Sequence, residues 1–140
     1  YLCITVGTPR PPQGEVSCFL LKDEQKKQVS VYHRPVPGGK TAVTRYRTLE
    51  TRGELSLLEV QLLTGRTHQI RATMADLGCP LLGDGKYGNG AANRRYGETR
   101  QALYSYRLTF DFPTDAGLLE YLRGRSFQVD HVPFRDKYFG

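Results

Sequence analysis

The chain has 140 residues, 39% of them apolar, with 20 Lys and Arg against 14 Asp and Glu and a net charge of +6. That is the size of one domain, able to bury about two-thirds of its unfolded surface. The mixed composition excludes a low-complexity or fibrous chain. No window approaches the roughly 18 apolar residues of a membrane span, so no membrane partner is expected.

In chain order, Tyr1–Val6 is β-like and ends at Gly7. Because the chain opens on Tyr1 inside the apolar run YLCITVG, it is expected to be a fragment of a longer protein. TPRPPQGE is a turn, since proline removes donors and glycine permits reversal. Glu15–Leu21 and Gln28–His33 read as a hairpin across KDEQKK, and Thr41–Leu49 with Leu55–Leu63 as a second one across TRGE. Thr64 and Thr67 are candidate N-caps of a helix whose buried stripe is Ile70, Met74 and Leu77. Gly78 stands where a C′ glycine belongs, and Pro80 prevents continuation. Residues 83–100 read as a loop with one helical turn near NRRYG, and Gln101–Phe112 as a strand. Leu118–Leu122 is expected as a short helix and Phe127–Val129 as a last strand. The fold class is α+β, with a mixed, mainly antiparallel sheet and few helices.

Cys3, Cys18 and Cys79 are odd in number and form no C-x-x-C pair, which reads as free buried thiols in a reducing cytoplasm. His33, His68 and His131 are not spaced to complete a zinc site, so no metal is expected. The basic balance favours a polyanion partner or a merely solvated basic surface; charge alone does not choose between them.

GDGKYG at 83–88 has the glycine spacing of a dinucleotide-binding turn. That turn must follow a strand and open a helix. Here it follows a helix end and the turn-like GCP, and NGAANRRYGETR after it lacks an amphipathic period. A Walker reading fails as well, because Asp84-Gly85 occupy the Lys-Ser/Thr positions. No nucleotide cofactor is expected.

The most informative block is Leu63-Thr-Gly-Arg-Thr-His-Gln-Ile-Arg71, followed by Gly78-Cys-Pro-Leu-Leu-Gly-Asp84 and Tyr87-Gly88. His68 and Arg71, three apart, share a helix face that could meet an anion or simply be solvated. The block resembles L-x-TGR-x-HQIR and G-x-P-(I/L)-x-GD-x-x-YG of the RluA-type RNA pseudouridine synthases. YLCITVG resembles that family's K-x-Y-x-A-x-V-x-G strand from its tyrosine onward, Gly39–Thr44 its GK-x-A-x-T segment, and Gln101–Leu108 its LHA-x-x-L strand. The resemblance implies part of that family's catalytic fold and cofactor-free isomerisation of uridine in structured RNA, above all ribosomal RNA. The target base is flipped out of its stack, which costs a few kcal/mol.

It further implies that Tyr1 stacks on the flipped uracil and that Arg71 pairs with a catalytic aspartate. Arg66, His68 and Gln69 are assigned to motif structure or RNA backbone contact. Lys86, Arg94, Arg95 and Arg100 are phosphate contacts or solvated surface. The family's HRLD-x-x-TSG motif, which carries that aspartate upstream of the tyrosine, does not occur in this sequence. The chain is therefore expected to be the C-terminal part of the catalytic domain, inactive alone, with Arg71 an unpaired charge in a disturbed cleft. A monomer is expected. The alternative is an RNA-binding module that kept the scaffold without the chemistry. Departures are Thr73 where the family often has histidine, and Tyr104-Ser105 in place of His-Ala.

Overall fold

The computed structural model describes residues 1–105, 107–109, 126–128 and 137–139. Six strands, β1 (Leu2–Val6), β2 (Gln13–Asp23), β3 (Gln28–Tyr32), β4 (Lys40–Arg52), β5 (Leu55–Leu62) and β6 (Leu103–Tyr104), form one sheet in the order β3-β2-β4-β5-β1-β6. Every pairing in it is antiparallel. β7 (Arg107–Thr109) and β8 (Ser126–Gln128) form a separate antiparallel ladder. Two helices, α1 (Gln69–Asp76) and α2 (Gly90–Tyr96), and helical residues at 137–139 complete the described elements.

Both expected hairpins form, β2 with β3 and β4 with β5. β4 runs past the expected end at Leu49 because a bulge falls between Thr48 and Glu50. The extra residue, Leu49, is left exposed and breaks the period-2 alternation on which a sequence reading depends. The expected strand Gln101–Phe112 is divided: β6 pairs with β1, whereas β7 pairs with β8 in the other sheet. The helix expected at Leu118–Leu122 lies outside the described residues. α2 is two turns rather than one. Asn89 caps it by accepting from the Ala92 N–H at 3.1 Å, and Gly97 closes it in the left-handed region at φ 67°.

β1 is buried along its whole length, so its two faces belong to two cores. Leu2, Ile4 and Val6 join Leu55, Leu57, Leu82 and Ala92 on the α2 side. Cys3 joins Leu58, Val60, Ile70, Met74 and Leu81 on the α1 side. A third cluster, Cys18, Leu20, Val29, Ala42 and Ala72, extends the α1 side across β2–β4. Each fully buried Leu or Ile contributes roughly 1.5–3 kcal/mol to folding. All three cysteines are free and buried, and desolvation pushes the Cys3 thiol up to about 12.

Candidate active site at the start of the first helix

The chain leaves β5 and reaches α1 through Leu63–His68, and this loop is built by one side chain. The buried Gln69 amide donates to the Val43 carbonyl (2.9 Å) and the Thr44 hydroxyl (3.0 Å). Its oxygen accepts from the Thr64 hydroxyl (2.7 Å) and the Arg66 N–H (3.1 Å). Two donors and two acceptor sites are thus all filled, which is the full capacity of an amide. Gln69 is 2% exposed and holds the loop on β4, the structural half of its expected role.

The expected N-caps do not act as such. Thr64 accepts from the Val43 N–H (3.0 Å) and donates to the Gln69 side chain, so its hydroxyl caps no backbone N–H of the helix. His68 occupies the N-cap position instead, at φ 54° and without a side-chain cap. Arg66 and His68 therefore precede α1 rather than ride on it. The far end behaves as expected. Gly78 (φ 84°) donates to Ala75 and Cys79 to Met74, a Schellman closure that leads into Pro80.

Arg71 is not the unpaired charge expected of it. Its Nε and Nη2 donate to Asp84 Oδ2 (2.8 Å) and Oδ1 (2.9 Å), a bidentate pair. The Asp84 side chain is fully enclosed and that of Arg71 is 15% exposed. The cleft is undisturbed because the 83–88 loop supplies its own carboxylate. Asp84 Oδ1 also accepts the backbone N–H groups of Lys86 (2.9 Å) and Tyr87 (3.0 Å). Burial pushes the Asp84 carboxyl up, but Arg71 and these two N–H groups together hold it below the usual range. The Arg71 pKa is raised by its bonds to Asp84, and the guanidinium lies over the Tyr87 ring, 5.2 Å from its centroid.

Sequence reasoning assigns no role to Asp84 or Tyr87. The available signal is an acid placed directly after the apolar Leu81-Leu82-Gly83, where the chain is still inside the core. Tyr87 reaches outward from the same turn. Its hydroxyl accepts from the Val29 N–H (2.8 Å) and lies 2.9 Å from His68 Nδ1. Burial, then the charges of Arg71 and Lys86, lower the His68 pKa and favour its neutral ring. GDGKYG is therefore a pedestal for Arg71. A Cβ at Gly83 (φ 83°) would lie 1.9 Å from the Arg100 carbonyl oxygen, and one at Gly88 2.0 Å from that of Asp84.

Tyr1, Arg66, His68, Gln69 and Arg71 line one groove of about 380 Å³, floored in part by Leu62 and Ile70. Tyr1 sits at its rim, 38% exposed, and is fixed by backbone bonds with Val60 in both directions at 2.8 Å. The structure thus brings five of the expected residues together. Lys86 lies beside them, but its Nζ donates to the Lys27 carbonyl at 2.6 Å. Arg94, Arg95 and Arg100 do not line the groove; Arg95 pairs with Glu54 through Nε at 3.0 Å. Thr73 is 1% exposed, so this departure from the family pattern concerns packing of α1 rather than the groove.

The sequence profile described as RNA pseudouridylate synthase matches residues 1–76. The chain is 44% identical over 89 residues to an RNA pseudouridine synthase of Chloroflexus aurantiacus, covering 63% of this chain and 27% of that protein. It is 37% identical over 110 residues to RNA pseudouridine synthase YhcT of Bacillus subtilis, covering 77% and 34%. With ribosomal large subunit pseudouridine synthase D of Vibrio cholerae it shares 45% over 96 residues, covering 61% and 29%. The chain thus spans a minor part of the length of each of these relatives. Among solved structures, human RNA pseudouridylate synthase domain containing 1 superposes with a TM-score of 0.66 at 25% identity, over 83% of this chain and 49% of that one.

Proposed function

The chain belongs to the RNA pseudouridylate synthase family, and from that premise we propose that it is part of the catalytic domain of an enzyme isomerising uridine to pseudouridine in structured RNA, with ribosomal RNA as its substrate. The observation that carries this reading is the meeting of Tyr1 and Arg71 in one groove. In the reaction the C1′–N1 glycosidic bond breaks, the uracil turns, and C1′ bonds to C5. C5 loses its proton and N1 gains one, so atoms balance without a cofactor.

The roles follow from the geometry. The exposed Tyr1 ring at the rim offers a stacking surface for a flipped base. Arg71 carries five N–H donors, of which two bind Asp84, leaving three. Those three suit a second carboxylate, the nucleophile of the HRLD motif, and would keep it ionised in a partly desolvated groove. We assign that aspartate to a segment outside these 140 residues, so the chain alone is expected to give no product.

The test uses the intact protein and RNA carrying tritium at uracil C5, which is released as the new bond forms. Tritium release is expected from the intact protein and not from the 140-residue chain. Arg71→Ala should lower the rate by at least about 10²-fold, the scale of losing one preorganised charged donor. RNA binding without tritium release by the intact protein would instead support the non-catalytic module.

A further inference from the structure

A second groove, of about 310 Å³, lies between the β2–β3 hairpin and the β5–α1 loop. Lys22, Lys40 and Arg66 line it, and Arg66 also lines the groove of Tyr1 and Arg71, so the two grooves adjoin at that side chain. The single carboxylate on its wall, Glu24, stands 3.7 Å from Lys22 and is 80% exposed, a pairing too loose to neutralise three cations. The Arg66 Nε donates to the Thr41 carbonyl at 2.8 Å. That bond fixes the guanidinium plane and leaves both η nitrogens to face a ligand.

Gly65 supplies an independent observation. It lies on the groove wall, its φ is not positive, and a Cβ built there meets nothing within 4 Å. The fold therefore does not need a glycine at this position, whereas a ligand backbone passing close to the chain would. Lys22, Arg71 and Lys86 also each lower the pKa of His68, so one cationic field covers both grooves.

We propose that Lys22, Lys40 and Arg66, with the clearance left by Gly65, form a binding track for the RNA phosphodiester backbone next to the groove that receives the target nucleotide. This rests on the reading of the protein as an RNA-modifying enzyme and adds Lys22 and Lys40, contacts which that reading leaves open. A concave groove adjoining the base site fits a strand better than a flat surface partner. The charge is carried by residues other than Arg94, Arg95 and Arg100.

The test measures RNA affinity of the intact protein as a function of KCl concentration. Lys22→Gln with Lys40→Gln should flatten the log–log salt slope by about 1.4–1.8 and weaken binding about tenfold, as expected for two lost phosphate contacts. In turnover, KM should rise while kcat at saturating RNA holds. Gly65→Ala should weaken binding with no fall in melting temperature, since the methyl projects into the track. Lys26→Gln, on the β2–β3 turn but outside the groove, is the control and should leave the slope unchanged. An unaltered slope and affinity in the double variant would overturn the track, as would a loss confined to kcat. If the wild-type protein released no tritium, the catalytic reading would fail while the salt slopes still decided the track.

Discussion

Asp84 is a carboxylate with no exposed side-chain surface, and what makes it tolerable there is the number of donors gathered on it: two from Arg71 and the N–H groups of Lys86 and Tyr87. Removing it would strand a guanidinium with little access to water. Asp84→Ala should therefore destabilise the protein by about 3 kcal/mol, near the low end for breaking a buried pair because Arg71 keeps some exposure. Asp84→Asn keeps an acceptor for the two backbone donors and should cost about half as much. Equilibrium denaturation of the two variants separates these contributions. The same pair locks the Arg71 fork in one orientation, so the asparagine variant should lose rate even where it stays folded.

The connection between α1 and α2 is held by atoms of the backbone as much as by side chains. Asn93 accepts from the Gly83 N–H at 2.7 Å and donates to the Asp84 carbonyl at 3.1 Å, tying α2 to the Arg71 pedestal. Gly83 and Gly78 have almost the same φ but different surroundings, since only Gly83 is crowded by Arg100. Alanine at Gly78 should cost about 1 kcal/mol, the left-handed backbone penalty alone. At Gly83 it should cost more than about 3 kcal/mol, because backbone must also move. Equal losses in thermal melts of the two variants would show that the close approach does not matter. This contrast also marks what a sequence can reveal. The hairpins and the α1 stop were legible because alternation, Gly78 and Pro80 are local signals. The Gly83–Arg100 contact, the Arg71–Asp84 pair and the division of Gln101–Phe112 between two sheets depend on which distant segments meet. The groove residues Arg66, His68, Gln69 and Arg71 were legible because Thr64–Arg71 forms one contiguous motif, and Tyr1 because it opens the YLCITVG strand. Lys22 and Lys40 lie in other segments and were not singled out as site residues.

At the scale of the molecule, His68 and Asp84 each link the stability of the fold to acid. The folded-state pKa of His68 lies below its ordinary value of 6.5, so the unfolded chain takes up this proton first. Stability should then be full above pH 6.5 and fall as pH drops below it. Asp84 is also depressed, so its stabilisation is present above the ordinary value of 3.8 and is lost as pH falls further, through the folded value. Wild-type protein titrated by denaturant from pH 8 to pH 5 should lose stability, and His68→Gln should show a flatter profile over that range. Parallel profiles would mean that His68 contributes nothing.

β1 separates the two cores while supplying side chains to both. Substitutions beneath α2 and substitutions beneath α1 share few neighbours, so their energetic effects are free to add rather than interfere. The exception is Asn93, through which the α2 side is joined to the turn beneath Arg71.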